Sequence, residues 1–414
     1  MKKFLKILAF VFVIIIVGGL GYAYISYNTW SPGKVEADID ETKLEYFQDS
    51  YEACRQAFLE QADALNEKFF KVEVFSRKVP TKTGAGLMID FCCIPAQHEN
   101  SKLLIISSGV HGIEGFVGSA VQQMLMDKFL DIGMLGNVSI LFIHGINPYG
   151  FNFTRRVTEN NVDFNRNCET NNALFSTPNK GYTDLYDMLN PTGKVDAGSF
   201  KNNFFMLVAI NKLMQESMAS LRQAVLQGQY EYPEGLYFGG NNFEPQLEMI
   251  GQVITEKAQD YDTIMNIDLH TGYGARGFLH LFPNPVDDPE VKGAMEIIFE
   301  GHTIDWGDSD DFYTINGAFS DYIGKILPGK FYMPMSFEFG TLNSQTTTGS
   351  VKSIHNMILE NQGKHYGYKS KKDSLAVMKN FVEMYYPSSE TWRSKALNDA
   401  FSVMEQVLNR FQEF

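Results

Sequence analysis

One stretch decides what this chain can fold into: Ser101-Lys-Leu-Leu-Ile-Ile-Ser-Ser-Gly-Val-His-Gly-Ile-Glu-Gly115. The run from Leu103 to Ile106 is short and continuously apolar, the pattern of a buried strand, and Ser107, Ser108 and Gly109 end it. From Phe116 to Leu130 the apolar residues fall at helical spacing, and Val138–His144 is apolar again. Strand, helix and strand in this rhythm make a βαβ crossover, which requires parallel pairing. His111 and Glu114 stand three apart at the carboxyl end of the first strand, where ligands of open α/β sheets gather. Imidazole and carboxylate are two of the donor types that a zinc ion takes. A lone His-x-x-Glu is common among proteins, so the remainder of the chain decides its meaning.

The amino-terminal end obeys a different rule. Ile7 to Ile25 is an uncharged run rich in Ile, Val, Leu and Phe behind Lys2, Lys3 and Lys6. Its length is close to the ~20 residues that cross a bilayer and exceeds the ~7–15 of a signal-peptide core. The lysines favour an amino end held in the cytoplasm, which leaves the rest of the chain outside. Residues 1–28 therefore read as a membrane anchor; the alternative is a signal peptide cleaved near Gly21-Tyr-Ala23, with a secreted product. Residues 29–42, with Ser, Pro, Gly and acidic side chains, read as a linker, and 43–414 as one domain with ample length for a core. The formal net charge of −14 argues against a nucleic-acid partner, because phosphate binding needs a basic face. Cys54, Cys92, Cys93 and Cys168 are too few for a disulfide framework in 414 residues and read as core cysteines.

Along the chain, Phe47, Tyr51, Cys54, Phe58 and Ala62 give one amphipathic helix over 43–70. Lys71–Val79 and Leu87–Cys93 alternate as two strands around the turn chemistry of residues 80–86. Residues 145–200 lack periodicity, and a loop of that length inside a domain is usually functional. Helices follow at about 201–227 and 244–259, strands at Thr263–His270 and Phe278–Phe282, and helices at 289–301 and 317–326. A strand at Tyr332–Phe339 and helices at about 349–363, 371–385 and 389–412 close the chain.

Four further segments complete the pattern begun by His111. They are Asn147-Pro-Tyr-Gly-Phe-Asn-Phe-Thr-Arg-Arg156, Asn161-Val-Asp-Phe-Asn-Arg-Asn167, Asp268-Leu-His-Thr-Gly272 and Ser336-Phe-Glu-Phe-Gly-Thr341, the first just after a strand and the last two at strand ends. As an ordered set they resemble the zinc carboxypeptidase superfamily, including its succinylglutamate desuccinylase and aspartoacylase branch. They are most similar to a bacterial branch with His-Gly-Ile-Glu-Gly and Asn-Val-Asp-x-Asn-Arg-Asn. The likeness runs from about residue 45, where Ser50-Tyr-Glu-Ala-Cys-Arg-Gln-Ala-Phe58 fits that branch, to about residue 345.

The resemblance implies one zinc ion per chain held by His111, Glu114 and His270, with a fourth position left for water, as in catalytic sites. It implies that Asp163 orients His111. Asp268, on the same strand face as His270, either orients that ligand or is a buried acid tied to backbone amides. Arg156 matches the arginine that polarises the scissile carbonyl and stabilises an oxyanion. Arg155 is the alternative, because the nine-residue interval from Arg156 to Asn165 departs from the family's spacing. Asn165 and Arg166 match the pair that grips a substrate carboxylate, and Glu338 matches the general base. Tyr273 and Tyr313 are the candidates for a substrate-capping tyrosine. Gly235-Leu-Tyr-Phe-Gly-Gly240, within inserted sequence at about 171–255, either walls the pocket or packs as an ordinary loop.

The expected architecture is α/β: a single domain whose mixed, mostly parallel sheet is flanked by helices on both faces, zinc carboxypeptidase-like, behind an amino-terminal transmembrane helix. The expected activity is zinc-dependent hydrolysis of an amide bond next to a substrate carboxylate. A carboxypeptidase-type peptidase acting on a peptide, an N-acyl amino acid deacylase acting on a small acylated amino acid, and an inactive membrane-tethered binding module are the three readings. The extracytoplasmic address favours the peptide.

Overall fold

The strand that stops just before Gly109 lies at the heart of the molecule. In the computed structural model seven strands form one sheet in the order β1-β2-β4-β3-β5-β7-β6. They are β1 (Glu73–Lys78), β2 (Met88–Ile94), β3 (Lys102–Ser108), β4 (Val138–His144), β5 (Thr263–Gly272), β6 (Leu279–Phe282) and β7 (Phe331–Gly340). The structure describes residues 2–69, 71–84, 86–96, 102–132, 135–213, 218–284, 286–307 and 315–414.

β3 pairs in parallel with β4 on one side and β5 on the other, and β5 pairs in parallel with β7. The remaining pairings, β1 with β2, β2 with β4 and β6 with β7, are antiparallel. The sheet is thus mixed, with parallel strands at its centre and antiparallel ones towards its edges, three pairings of each kind. The parallel share is smaller than the sequence suggests, because a βαβ rhythm announces only the central crossovers. The chain leaves β3 towards β4 and returns across it to β5, so the strand order reverses beside β3. Clefts form at the carboxyl ends of strands at such a reversal.

Central strands covered on both faces need apolar residues at successive positions, not alternate ones. All seven residues of β4 are buried, as is β3 from Leu103 onward. Leu104, Ile106, Ile140 and Phe142 join one core cluster, while Leu103, Ile105, Leu141 and Ile143 join the other. This is the two-residue side-chain period of a strand serving two cores.

The amino-terminal helix is α1 (Lys2–Asn28); α2 is Tyr51–Ala64 and α3 is Gly115–Ile132. Between β4 and β5 lie α4 (Lys180–Leu189), α5 (Phe205–Leu213), α6 (Met218–Leu226) and α7 (Pro245–Ala258). α8 (Pro289–Ile298) and α9 (Phe319–Ile326) precede β7, and α10 (Thr347–Tyr366), α11 (Lys371–Tyr385) and α12 (Glu390–Glu413) follow it. α2, α3, α8 and α12 cover one face of the sheet, and α7 and α9 the other. Trp392 of α12 is fully buried and donates its indole N–H to the carbonyl of Gly340 at 2.8 Å, fixing α12 to the end of β7.

Three helix boundaries differ from the sequence reading. The helix expected over 43–70 begins at Tyr51, because Ser50 accepts the amide of Ala53 and caps it there. Residues 41–44 form a separate turn capped by Asp40. Residues 201–227 contain a one-turn helix, α5 and α6. α4 lies within the stretch read as loop; Asn179 caps it by accepting the amide of Tyr182.

Within α1, Phe10–Asn28 is long and apolar enough to cross a membrane, and almost none of it is buried. The helix ends on the domain: Tyr27 is buried, with its hydroxyl 2.9 Å from Nδ1 of His355 on α10. The segment after it also touches the domain, since Asn343 donates to the carbonyl of Pro32 at 2.9 Å and Val35 packs on Gly277.

Gly112, in the turn after β3, shows how tightly this region is built. Its amide donates to the carbonyl of Arg156 at 3.0 Å, and a Cβ there would stand 2.2 Å from the carbonyl carbon of Gly150. Backbone on both sides leaves no room to relax. Gly112→Ala should destabilise the fold by about 1–3 kcal/mol or more, whereas Gly293→Ala in α8, with open space at its Cβ, should stabilise by up to about 1 kcal/mol. Paired denaturant melts check this; equal effects would mean that the turn is not tightly enclosed.

Candidate metal centre

The carboxyl end of β3 delivers the first two donors. Gly109 takes a positive φ of +74°, which a residue with a Cβ rarely adopts, and turns the chain away from the sheet. His111 remains extended, and Gly112–Glu114 form a single 3-10 turn that runs into α3. Gln122 of α3 holds this junction to the sheet through Ser108 Oγ and the carbonyls of Ile106 and Ile143 at 2.9–3.1 Å. β5 brings His270, and its register places Glu338 of β7 beside it.

Ligand atoms of His111, Glu114 and His270 lie within 4.8 Å of one another, and all three residues are buried. Nδ1 of His111 is 2.9 Å from one oxygen of Glu114, and Nδ1 of His270 is 2.9 Å from the other. The opposite ring nitrogens face carboxylates: His111 Nε2 is 3.2 Å from Asp163, and His270 Nε2 is 2.7 Å from Asp268. A carboxylate behind a histidine fixes the proton on Nε2 and directs the Nδ1 lone pair forward. Two such lone pairs and the Glu114 carboxylate then converge as acceptors, an arrangement that a cation satisfies. His111 Nδ1 is buried without a hydrogen-bond partner, as a site built for a positive ion would leave it. The residues fit zinc, which takes nitrogen and oxygen donors of these kinds.

The electrostatics agree. Burial raises the Glu114 carboxyl, but His111 and His270 outweigh it and hold the group well below the usual carboxylate range. Burial likewise opposes ionisation of Asp163, and the neighbouring Arg156, His111 and Arg166 override it. Burial lowers His270, yet Asp268 and Glu114 bring it well above its ordinary value. The centre draws positive charge.

The two candidate arginines separate cleanly. Arg155 points into the protein, where its Nε is 2.7 Å from Glu360 and its Nη2 is 3.4 Å from Asn161 and Asn361. Arg156 reaches the centre: Nε is 3.0 Å from Asp163, Nη1 3.3 Å from Glu114 and Nη2 2.6 Å from Nε2 of His111. A guanidinium only donates, so Arg156 and Asp163 compete for that nitrogen, and a cation on Nδ1 favours Asp163.

Asn165 and Arg166 line the same cavity, of about 310 Å³. Arg166 donates to the carbonyls of Leu226 and Asn165, at 2.8 Å for its Nε and Nη1. These partners are neutral, so its charge remains effective towards an anion in the cavity. Asn165 Oδ1 is taken by the amide of Phe319 at 2.9 Å, which leaves its amide nitrogen as the available donor. Glu338 accepts the amide of Tyr273 at 2.8 Å, and enclosure together with the nearby Glu114 charge pushes its carboxyl up to about 8.

Tyr237 brings to the cavity the Gly235–Gly240 loop, read from sequence as either a pocket wall or ordinary packing, and Tyr385 escapes sequence reasoning. Tyr237 lies at φ +53°, with the guanidinium carbons of Arg156 and Arg166 5.4 and 5.7 Å from its ring centre. Its loop, Gly235–Gly240, is held by the amide of Asp163 donating to Phe238 at 2.7 Å; the glycines around an aromatic were its only signal. Tyr385 closes α11, whose end is tied to β5 by Thr271 and to the residue following β7 by Thr341, which donate to the carbonyls of Tyr385 and Met384. Nothing in the helical pattern of 371–385 marks it. Tyr273 also lines the cavity, while Tyr313 lies outside the described residues.

Asp163→Asn removes the charge behind His111, and zinc affinity should fall about 10–100-fold, read by competition with a chelator. Glu338 gives a pH test. Its folded carboxyl titrates near 8 against an ordinary value of 4.5, so across that window the folded protein keeps a proton that the unfolded chain releases. Stability should therefore fall as pH rises from 5 to 8 in chelator-treated protein. Glu338→Gln should flatten that fall; parallel curves for the two proteins would contradict the assignment.

No curated protein matches the chain. Among solved structures it is similar to bovine thrombin-activatable fibrinolysis inhibitor in complex with tick carboxypeptidase inhibitor, with 13% identity, 81% of this chain and 99% of that one covered, and a TM-score of 0.45. It is also similar to carboxypeptidase A from Helicoverpa armigera (13% identity, 83% and 80% covered, TM-score 0.42). A metallo-carboxypeptidase from Burkholderia cenocepacia is a third (12% identity, 75% and 69% covered, TM-score 0.38). Over residues 47–399 the chain matches the family described as "Protein of unknown function (DUF2817)", and it belongs to that family.

Proposed function

We propose that the chain is a zinc-dependent hydrolase that cleaves an amide bond next to a substrate carboxylate, most simply as a carboxypeptidase-type peptidase. The observation that carries this reading is the company His111, Glu114 and His270 keep: one cavity holds them, a separate acid at Glu338, and a guanidinium at Arg166 with neutral partners. A purely structural metal site needs neither the acid nor the second arginine.

When bound, zinc supplies a Lewis acid that acidifies water and polarises a carbonyl. Glu338 takes the proton of the attacking water on a carboxylate oxygen and returns it to the leaving nitrogen. Glu338 lies in the same cavity as the three donors, and the Tyr273 amide fixes one of its oxygens. Arg156, beside His111 and Glu114, offers N–H donors to the oxygen on which negative charge develops. Arg166 and the amide nitrogen of Asn165 hold the substrate carboxylate. Tyr237 and Tyr385 shield the arginines from water. The α1 helix serves as the anchor, with the domain outside the cytoplasm; a reporter fused after Phe414 should be active only there.

Full-length protein given a panel of peptides and N-acyl amino acids, with products read by mass spectrometry, tests the reaction class. Glu338→Gln should retain zinc and lose roughly 10²–10⁴-fold in kcat. Arg166→Ala should raise KM for acids, at a cost of about 1.5–3 kcal/mol, and leave amidated substrates nearly unchanged. Equal impairment of acids and amides would make Arg166 structural.

A further inference from the structure

The last turns of α1 are packed on the domain and do not stand clear of it. Tyr24 lies against Phe204 with ring centres 5.6 Å apart, and Asn28 donates to the carbonyl of Asn203 at 2.9 Å. The hydroxyl of Tyr27 meets His355, whose ring stacks on Phe205 of α5 at 4.0 Å. Lys352 of α10 stands over the Tyr27 ring, 3.8 Å from its centre. The end of the apolar helix thus rests on the one-turn helix Phe200–Asn203, on α5 and on α10.

These contacts fix a depth. The apolar stretch ends at Asn28, and with a rise of about 1.5 Å per residue Tyr24 lies about 6 Å back along the axis. Tyr22, Tyr24, Tyr27 and Trp30 crowd that end of the helix, where aromatic belts sit at the level of lipid headgroups. A side chain that touches Tyr24 is held at the same level, and Phe204 is such a side chain.

The surface next to Phe204 is apolar on its outer side. Phe200 is 71% exposed, and its ring stacks on Phe204 at 4.4 Å. On α5, Phe205 and Ala209 are four apart and buried, whereas Leu207 and Ile210 are three apart on the outer face, 36% and 40% exposed. Scattered apolar residues on a surface need no explanation, but a continuous set beside an apolar helix marks an interaction surface. Water solvates such a set poorly, and the headgroup–acyl boundary of a bilayer suits it. Lys201, exposed beside Phe200, carries a charge on a flexible stem, which suits the headgroup phosphates above that boundary.

We infer that the domain docks on the phospholipid bilayer that holds α1, seating Phe200, Phe204, Leu207 and Ile210 in the headgroup–acyl boundary. The inference rests on the anchor reading of α1. Ala209 and Lys212 of α5 line the cavity of the metal centre, so one wall of that cavity is the inner side of a membrane-seated helix.

Spin labels on the full-length protein in phosphatidylcholine–phosphatidylglycerol nanodiscs test the seat. Labels are placed singly at Leu207→Cys and Ile210→Cys, with Ile14→Cys reporting the anchor. Ile297→Cys on α8, an exposed apolar position beside the end of α12, reports water. Cys54, Cys92 and Cys168 are buried and Cys93 partly so, and the signal of identically treated wild-type protein is subtracted. Collision with oxygen against a water-soluble nickel chelate should place the labels at 207 and 210 about 5–10 Å into the boundary, and the label at 297 in water. Adding Phe200→Glu and Leu207→Glu should return the label at 210 to water without changing the melting temperature. Labels at 207 and 210 that behave like 297 while 14 reads lipid overturn the docking and leave the anchor standing. A label at 14 that reads water overturns both. A label at 210 unmoved by the two glutamates overturns the inference as well, since α1 alone would then hold α5 at the bilayer. So does shielding of 207 and 210 from both reagents with dipolar broadening, which would mean that a second copy of the chain covers the surface.

Discussion

Everything in this molecule defers to the meeting of His111 and His270 on the two oxygens of Glu114. Asp163, Asp268 and Glu338 stand around that point, while Arg156 and Arg166 supply the opposing charge. Gathering four carboxylates with two guanidiniums away from water is costly unless each group is paired or a cation joins them. The sheet meets this cost by rigidity. β3, β5 and β7 are neighbours in register, so the three strand ends hold His111, His270 and Glu338 in fixed relation. The pins at Gln122, Thr271, Thr341 and Trp392 keep the flanking helices from yielding.

The central strands were legible because burial on both faces writes itself as an unbroken apolar run, and β4 coincides with Val138–His144 as read from sequence. The edges were less so. β1 and β2 show alternation, but nothing in them states that β2 joins β4 antiparallel and not β3. Helix breaks at Ser50 and before α5 depend on caps, which compete weakly with an amphipathic pattern running through them. The residues His111, Glu114, Asp163, Asp268, His270 and Glu338 were nameable through the resemblance, whose short segments each sit at a strand end or in the loop that follows one. Arg155 and Arg156 could not be told apart in sequence; what separates them is Glu360, about 200 residues away on α10. Tyr237 and Tyr385 reach the cavity only through the fold, one from a strained loop and the other from a helix end.

The long segment between β4 and β5 divides its work. Its first part, through Arg166, supplies the polar groups of the site. Of its later helices, α7 covers a face of the sheet, while α4, α5 and α6 contribute to the wall of the cavity that holds those polar groups. Arg166 joins the two regions: its donors reach the carbonyl of Leu226 on α6, and its charge faces the centre.

The pairing of Arg155 with Glu360 has a consequence in time. It joins residues 205 apart in sequence, whereas His270 meets Glu114 across 156. A chain made from its amino end exposes the last metal donor well before Glu338, and Glu338 before Glu360. Contacts this distant in sequence close slowly, since loop entropy must be lost before they form. The loop bearing Arg156 is held locally by the amides of Gly112 and Ile113, which donate to the carbonyls of Arg156 and Arg155, and at long range by Glu360 of α10. The Arg155–Glu360 pair thus makes the loop that carries Arg156 answerable to a carboxyl-terminal helix that itself contributes no donor to the centre.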